Sequence, residues 1–542
     1  MPAPVDKIRT ATTAAAHATG AAAGTIGREQ YMALAAALLG WLFDGAEMGV
    51  FSMVGRQAIK DLLQREAVTS AAADGVVAAS EGTIAIWFGV VTAGFLVGAA
   101  TGGVLFGWLG DRIGRVRAMT LSILTYALFT GLCGTATSAW QLGTLRFVAA
   151  LGMGGEWSLG VALVMEIWPN RSRAFMAGLI GAAGNAGYLL VGGVGLVLNT
   201  LLVRLGTWAA DAGVEQAWID WLLANGGWRL LMMCGTAPAL LTFLVRLFVP
   251  ESARWEQERD RGATSHWAAR DLFAVVLGAL GPALIIFLWA PRTEPFSVAI
   301  RAAGTVLGLL VATIGYTYPV VRYVGRLGAA SSDAHVLRPT IGRMLLAAGL
   351  SGIALLGTWG AAQWVPTWAD KITAGGLHVK EYALMASAAG AIVGTILAAL
   401  AGDFFGRRWT YVLMCVSSLA SAVWMYQFHA EYNAGFLVAT FLLGGCTASF
   451  YGWLPLYLPE LFRTAVRATG QGFGFNFGRI LAAVGALQTG NLVRAFSDDV
   501  TIGGVTLPGG YPLAGTTMSM IYIVGIALIW LAPETRGKPL PE

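Results

Sequence analysis

Long apolar runs separated by short polar turns occupy the chain from residue 31 to residue 532. A helix needs about 20 mainly apolar residues to cross the hydrocarbon core of a bilayer. Fourteen runs reach this length, so we predict an all-α polytopic membrane protein. The predicted helices lie near 31–55, 84–109, 118–138, 140–166, 174–203, 228–249, 272–290, 298–323, 341–368, 382–403, 409–428, 433–459, 468–495 and 512–532.

Three polar motifs occur twice, at offsets of 292, 294 and 283 residues. The pairs are the turns 107–117 and 401–408, Glu166…Arg173 and Glu460…Arg467, and Pro250-Glu251-Ser252 and Pro533-Glu534-Thr535. A parallel repeat of this size inside a membrane is typical of secondary transporters. The repeat predicts the following divisions: a tail 1–30, a six-helix bundle 31–250, a central segment 251–340 with two extra helices, a second six-helix bundle 341–532 and a tail 533–542.

Composition excludes several classes of protein. The chain is 56% hydrophobic and 12% charged, which a soluble protein of 542 residues does not tolerate. Its four cysteines are scattered through apolar runs, so neither a metal site nor a disulfide framework is expected. We find no catalytic triad or phosphate loop, and we expect no cofactor, no enzyme activity and no nucleic-acid partner.

Arginines cluster in the turns on one side of the predicted membrane. The turn 110–117 carries three, whereas the opposing turns near 139 and 429–432 carry no Lys or Arg. The positive-inside rule therefore places the arginine-rich turns and both termini in the cytoplasm of a multi-pass cell-membrane protein.

Asp111 and its copy Asp403 need more than a topological explanation, because the positive-inside rule accounts only for arginines. A carboxylate beside glycines can meet the positive end of a neighbouring helix in one conformation and leave it in another, which describes a gate. The predicted gating residues are Gly107, Asp111, Arg112, Gly114, Arg115, Glu166, Arg173, Glu251, Asp403, Arg407, Glu460, Arg467 and Glu534.

The turn 107–115 resembles the signature loop of the major facilitator superfamily, and 401–408 resembles its weaker second copy. Pro250-Glu251-Ser252 and Pro533-Glu534-Thr535 are similar to the sugar-porter motifs that follow helices six and twelve. The segments 146–157 and 474–479 resemble helices four and eleven of the sialate and lactate:proton symporters and their aromatic-acid relatives. The likeness implies a twelve-helix fold, from which the inserted pair 272–323 departs.

Four charged residues within the predicted helices are candidates for proton coupling, since burial of charge in a membrane is costly. Asp44 and Glu47 are three residues apart and share one face of helix one, and Arg146 lies at similar depth as a candidate counter-ion for Glu47. The resemblance to proton-coupled sugar porters implies such an acid–arginine pair. A permanent structural ion pair is the alternative, and Glu156 is either a second proton site or a neutral group that tunes the cavity.

Arg479 points to the substrate. It lies near the middle of the predicted helix 468–495, and the predicted helices of the second bundle contain no acid at comparable depth, so a substrate carboxylate is its predicted partner. Asn476 precedes Arg479 by one turn. In the register of the repeat, Asn185 of the predicted helix 174–203 occupies the position that corresponds to Arg479. Further predicted substrate-binding residues are Gln363, Trp359 and Tyr188.

We therefore predict proton-coupled uptake of a small organic anion such as a monocarboxylate, a sialate or an aromatic acid. Two alternatives remain. A sugar or polyol porter would bind a neutral substrate and would not depend on Arg479. A solute sensor that does not transport usually carries a sizeable cytoplasmic domain, and the loops here are short.

Overall fold

The computed structural model describes residues 28–70, 81–169, 172–237, 249, 251–289, 296–328, 334–502 and 505–541. These residues are almost entirely helical, with one two-stranded hairpin, so the predicted all-α polytopic class is confirmed. The predicted tail 1–30 falls almost wholly outside the described residues, as does most of the predicted sixth helix after Ala237.

The described residues of the first half form seven α-helices. They are α1 (Arg28–Ser70), α2 (Glu81–Ile113), α3 (Arg115–Cys133), α4 (Ala139–Ile167), α5 (Arg173–Asp211), α6 (Gln216–Cys234) and the short α7 (Ala253–Asp260). Helix α1 extends well beyond the predicted end at residue 55. Asp61 on this extension accepts hydrogen bonds from Asn225, Trp228 and Arg229, and thereby fastens α6 to α1.

The inserted pair and the second half follow. They are α8 (Leu272–Trp289), α9 (Val298–Gly328), α10 (Ala334–Gly360), α11 (Val365–Ile372), α12 (Val379–Phe405), α13 (Arg407–Phe428), α14 (Ala434–Ala448), α15 (Phe450–Leu461), α16 (Arg467–Ala495), β1 (Val500–Ile502), β2 (Val505–Leu507), α17 (Tyr511–Ser519) and α18 (Ile521–Leu528). The antiparallel pair β1–β2 lies in a loop for which we predicted no regular structure.

Twelve helical segments of the described residues are long and apolar enough to cross a membrane, and both inserted helices are among them. The other two predicted spans are the partly described sixth helix and α16. Helix α16 has 29 residues, which is sufficient length, but it is less apolar because it carries Gln471, Asn476 and Arg479. Those polar groups lie against the first bundle or the central cavity rather than lipid.

The predicted helix 341–368, the first of the second bundle, is interrupted between α10 and α11. Pro366 follows the break, and because proline has no N–H it cannot complete the helical hydrogen bond to the carbonyl of Ala362. At the break, the Ala361 carbonyl accepts a hydrogen bond from the Tyr426 hydroxyl at 2.6 Å in addition to that from the Trp364 N–H at 3.3 Å. The predicted helix 433–459 is similarly divided at Ser449, into α14 and α15.

Close approach of backbones joins the two halves at two seams. At the α5–α12 seam, a Cβ added to Gly178 would lie 2.8 Å from the Ile396 Cα atom. At the α2–α16 seam, a Cβ added to Gly472 would lie 2.2 Å from the Gly103 carbonyl oxygen. Both seams therefore require glycine, as expected for helices that associate without a hydrophobic driving force.

Candidate functional site: a gated cavity between the two halves

A cavity of about 910 Å³ lies between the two bundles. We call the side of the membrane that carries the turn 110–117 the turn side, and the opposite side the far side. The cavity walls include Arg56, Lys371 and His378, which belong to the far-side ends of their helices, as well as Asp44 and Arg479 in the interior. The cavity therefore extends from the middle of the bundle towards the far side.

The turn side is closed by Asp111, whose side chain is fully buried. Its carboxylate accepts hydrogen bonds from the backbone N–H groups of Ala468 at 3.3 Å and Thr469 at 2.9 Å, and from the Thr469 hydroxyl at 2.6 Å. These donors belong to the first turn of α16, in the other bundle. The predicted contact of Asp111 with the positive end of a neighbouring helix is thus present, and it crosses the interface between the two halves.

A buried network of charges continues this closure. Arg115 donates to Asp111 at 2.7 Å and to Glu166 at 3.3 Å, and Arg467 from the second bundle donates to the same Glu166 oxygen at 2.8 Å. The Ser252 hydroxyl also donates to Glu166. Because one arginine on each bundle is bound to one glutamate, separating the bundles on this side would break at least one buried ion pair.

The two sugar-porter-like glutamates cap helices within their own halves. Glu251 accepts from the backbone N–H groups of Arg115 and Val116, and Glu534 accepts from those of Arg407 and Arg408. Burial raises the pKa of Glu251 above its usual value. Burial also acts to raise the pKa of Glu534, but its backbone N–H donors outweigh that effect and lower the pKa.

The second copy of the gate is not equivalent to the first. Arg407 holds Glu460 through two hydrogen bonds of 2.7 and 3.0 Å, much as Arg115 holds Glu166. Asp403, however, has a side chain that is 56% exposed, and its only ion-pair partner among the described residues is Arg407, at 3.6 Å. The duplicated aspartate therefore does not cap a helix of the opposite half.

The remaining predicted gating residues have distinct positions. Gly107 allows α2 to approach Ala468, since an added Cβ would lie 2.7 Å from that carbonyl oxygen. Gly114 adopts a φ of +112°, and its missing side chain leaves room for Glu251. Arg112 is exposed beside Trp108 and takes no part in the network. Arg173 is buried near Glu460.

Glu47 and Arg146 form the predicted ion pair between helices one and four. Their charged atoms are 2.7 Å apart, and both side chains are almost completely buried. The guanidinium also lies over the rings of Phe51 and Phe95, at 3.9 and 4.7 Å from their centroids. Arg146 is therefore held by a carboxylate and two aromatic faces, which is a stable environment for a permanent charge.

Asp44 shares a helix face with Glu47, but Glu47 is paired with Arg146. The carboxyl group of Asp44 lies beside that of Glu156 on α4 and interacts with it electrostatically. One oxygen of each, Asp44 Oδ1 and Glu156 Oε2, is buried with no hydrogen-bond partner among the described residues. Two buried carboxylates beside each other repel, so the pair is stabilised when one of the two groups carries a proton.

Arg479 lines the cavity opposite Asp44, at the position expected for a substrate-binding cation. Its Nη1 atom is buried and has no hydrogen-bond partner in the described part of the chain. The sequence offered no acid in the second bundle as a partner for Arg479. In the structure the nearby acid is Asp44 of the first bundle, which interacts electrostatically with Arg479 but forms no ion pair within 4.0 Å. The guanidinium lies 5.6 Å from the centroid of the Phe475 ring.

Two stacked aromatic rings, which the sequence did not indicate, line the cavity. Trp157 of α4 stacks on Phe475 of α16 with centroids 3.6 Å apart and an interplanar angle of 7°. Each ring neighbours a charged group along its own helix, Glu156 in one case and Arg479 in the other. Tyr451 of α15, also missed, lines the same region and meets the edge of the Phe475 ring.

Four of the five other predicted substrate-binding residues line the cavity, and the fifth does not. Asn185, Gln363, Trp359 and Tyr188 all line the cavity, and Gln363 also donates to Ser52 at 3.2 Å, which joins α1 to the broken helix on the far side. Asn476 does not line the cavity. It is fully buried between the bundles, where its amide donates to the carbonyls of Gly154 and Gly472.

Comparisons with known proteins agree with this architecture. Residues 30–271 match the family described as "Sugar (and other) transporter". The chain is 26% identical to the cis,cis-muconate transport protein of Acinetobacter baylyi over 78% of this chain and 81% of that protein. It is 24% identical to the niacin transporter of the same organism over 95% of this chain and 96% of that protein.

Solved structures show the same fold. The proton:xylose symporter XylE of E. coli, bound to a bromodeoxyglucose, superposes with a TM-score of 0.62 at 17% identity, covering 94% of this chain and 98% of that one. A human organic anion transporter superposes with a TM-score of 0.58 at 14% identity, covering 93% and 100%. Together these matches indicate a transporter rather than an enzyme.

Proposed function

Because this chain is a transporter of the major facilitator superfamily, we propose that it takes up a small organic anion together with protons. The observation that carries the proposal is Arg479, a buried cation that lines the cavity with Nη1 free of hydrogen bonds among the described residues. A buried guanidinium is stabilised when a carboxylate binds it with two parallel hydrogen bonds. The relatives named for muconate and niacin transport support this substrate class, since both compounds are carboxylic acids.

Among organic anions, the cavity favours a planar acid. The Phe475 ring lies beside Arg479, Trp157 and Tyr451 contact that ring, and such rings bind flat conjugated groups by stacking. A sialate presents many hydroxyl groups that each need a hydrogen-bond partner. Of the three predicted amides, only Asn185 and Gln363 line the cavity, because Asn476 is directed into the bundle interface.

The transported proton is assigned to the Asp44–Glu156 pair. Their two carboxyl groups lie side by side and are both buried at the junction of the two helices, so the pair is stabilised when one of them carries a proton. When Asp44 is ionised, it provides the nearby negative charge for Arg479. A substrate carboxylate that binds Arg479 takes over this role. If Asp44 were ionised as well, two carboxylates would share one guanidinium, so Asp44 then keeps its proton. Binding of the anion and binding of the proton thereby favour one another.

Glu47 and Arg146 are assigned a structural role in this scheme. Each charge already has a close partner, and removal of either would leave the other buried without compensation. This assignment follows the alternative of a permanent ion pair that the sequence left open.

The arginine-rich turn side is assigned to the cytoplasm, together with both termini, in the cell membrane. With this orientation the cavity opens outwards and the Asp111 network closes the cytoplasmic side. The described conformation is then the outward-facing state, which receives solute from outside the cell.

The second candidate is a sugar or polyol porter, which the family match and the xylose symporter fold favour. It differs from the first in predicting a neutral ligand. A sensor that does not transport is the third candidate. Such a sensor usually carries a sizeable cytoplasmic domain, and among the described residues only the short segment 251–271 leads into the inserted pair.

Ligand-dependent stabilisation of the purified protein separates the first two candidates. The test ligands are benzoate, nicotinate, muconate, lactate, N-acetylneuraminate and glucose. A ligand at 100 times its Kd adds about 2.7 kcal/mol to the free energy of unfolding, which raises the melting temperature. We expect stabilisation by a planar acid; stabilisation by glucose alone would contradict the anion proposal. Uptake of the bound acid into proteoliposomes, driven by a pH gradient, then distinguishes transport from sensing.

A further inference from the structure

The inserted helices α8 and α9 lie against the seam between the two bundles, where α2 meets α16. Tyr316 of α9 is completely buried there and contacts both sides of the seam. Its hydroxyl is 2.7 Å from the Thr101 hydroxyl on α2, and the edge of its ring meets Phe477 on α16 at a centroid distance of 6.4 Å. One side chain of the inserted pair therefore contacts both halves of the transporter.

The direction of the Tyr316 hydrogen bond follows from counting protons. The Thr101 hydroxyl has a single hydrogen, which it donates to the Val97 carbonyl at 2.9 Å. Tyr316 must therefore be the donor and Thr101 the acceptor. A buried bond of this kind leaves an unsatisfied polar group if the partners separate without another partner or water.

The two inserted helices form one rigid unit. Added Cβ atoms at Gly281 and Gly315 would lie 2.2 Å from the Gly308 carbonyl oxygen and 2.5 Å from the Ala274 carbonyl oxygen, so the backbones are in direct contact. At the turn-side end, Arg326 forms an ion pair with Asp271. The unit therefore moves as a whole, and Tyr316 cannot follow α2 and α16 independently.

We propose that this helical pair is a strap across the α2–α16 seam that stabilises the conformation closed on the turn side. The backbone contact between Gly103 and Gly472 lies within one turn of Thr101 and about one and a half turns from Phe477. A conformation open on the turn side must separate α2 from α16 at this contact. The rigid pair can then stay with only one of the two helices, and Tyr316 loses either its hydrogen bond or its ring contact.

The outer face of the strap accounts for its position in the membrane. Leu280, Leu310 and Ile314 are all more than half exposed and face away from the bundles. The strap therefore presents an apolar surface to lipid and separates lipid from the seam that it covers. This role concerns the equilibrium between conformations and does not depend on which solute is transported.

The test measures the far-side opening by the distance between two spin labels. The labels are placed at Thr137 and Glu431, exposed positions in the corresponding far-side loops of the two halves, after replacement of the four native cysteines. Tyr316→Phe removes only the hydroxyl group. We expect the population with the shorter far-side distance to rise about two- to tenfold, because loss of one buried hydrogen bond favours the alternative conformation by that factor.

Tyr318→Phe is the matched control. Tyr318 lies on the same helix and is 36% exposed, and its ring is contacted by Arg322 rather than by either bundle. We expect this variant to keep the parent distribution. Thr101→Val removes the acceptor, so the double variant with Tyr316→Phe should shift no further than either single variant.

Two results would overturn the strap. One is a far-side distribution that stays unchanged in both Tyr316→Phe, which tests the hydrogen bond to Thr101, and Phe477→Leu, which tests the ring contact, when both proteins elute as folded monodisperse species. The other is a full sum of the two single effects in the double variant, which would mean that Tyr316 and Thr101 act separately. Neither result would bear on Arg479 or on the substrate, so failure of the strap is distinguishable from failure of the proposed function.

Discussion

The Asp111 carboxylate of the first bundle is joined to Thr469 of the second by two hydrogen bonds, of 2.9 Å from the backbone N–H and 2.6 Å from the hydroxyl. Thr469 lies in the first turn of α16, whose free N–H groups carry partial positive charge. Arg479 lies on the same helix, about 15 Å further along at 1.5 Å per residue. The carboxylate that closes the turn side therefore holds the helix that carries the candidate anion-binding guanidinium.

Replacement of Asp111 by Asn should slow transport by about tenfold or more while leaving membrane insertion intact. The variant keeps the size of the side chain but removes the charge that stabilises the closed turn side, and a hydrogen bond to a charged group contributes about 1.5–3 kcal/mol. Initial uptake rates in proteoliposomes test this. Asp403→Asn is the control, because that carboxylate is exposed and caps no helix of the other half. Equal rates for both variants would reduce Asp111 to a topological role.

Removal of the Arg479 side chain should weaken binding of the transported acid by about ten- to a hundredfold, since a charge-assisted pair is lost. Arg479→Lys should recover part of this affinity, because it keeps the charge but not the planar pair of donors. Calorimetric titration of each variant with the acid and with its neutral amide provides the control. The amide should lose far less affinity than the acid. Similar losses for both ligands would favour the sugar-porter alternative.

Variants of the Asp44–Glu156 pair should uncouple transport from protons. Asp44→Asn and Glu156→Gln should lose accumulation against a gradient but retain exchange of internal for external substrate, since exchange requires no proton release. Paired measurements of pH-driven accumulation and of counterflow test this. Glu47→Gln serves as the contrast: it leaves Arg146 without its carboxylate, so we expect a lower yield of folded protein. Selective loss of accumulation in Glu47→Gln alone would assign the proton to Glu47.

A methyl group at Gly472 should prevent closure of the turn side. The added Cβ of Gly472→Ala would lie 2.2 Å from the Gly103 carbonyl oxygen across the seam, a distance that no backbone tolerates without moving. The spin labels at Thr137 and Glu431 should then report mainly the shorter far-side distance. Gly94→Ala is the control, because nothing lies within 4 Å of its added Cβ. An unchanged distance in Gly472→Ala would show that the seam adjusts without opening.

The pattern of the sequence determined the number and depth of most elements. Apolar length predicts a span whatever its neighbours are, and the repeated motifs place Asp111, Glu166, Glu251 and their copies at helix ends. The sequence also predicted the contact of Asp111 with a helix terminus. A charged group at the end of one span can contact only groups at the same depth in the membrane, and those include the ends of neighbouring helices. The broken helices were missed, since a proline near a helix end does not reveal whether the helix bends or stops.

Only the tertiary structure decided which groups face each other. Successive residues of a helix point about 100° apart, so an error of one residue in the contact face changes the partner of a side chain. The sequence correctly placed Asp44 and Glu47 on one face of the first helix. Packing of α1 against α4, however, brings Asp44 beside Glu156 and Glu47 beside Arg146. Similarly, Asn476 and Arg479 lie one turn apart, yet only Arg479 reaches the cavity. Depth follows from counting residues, whereas direction depends on helix rotation, which packing between the two halves sets.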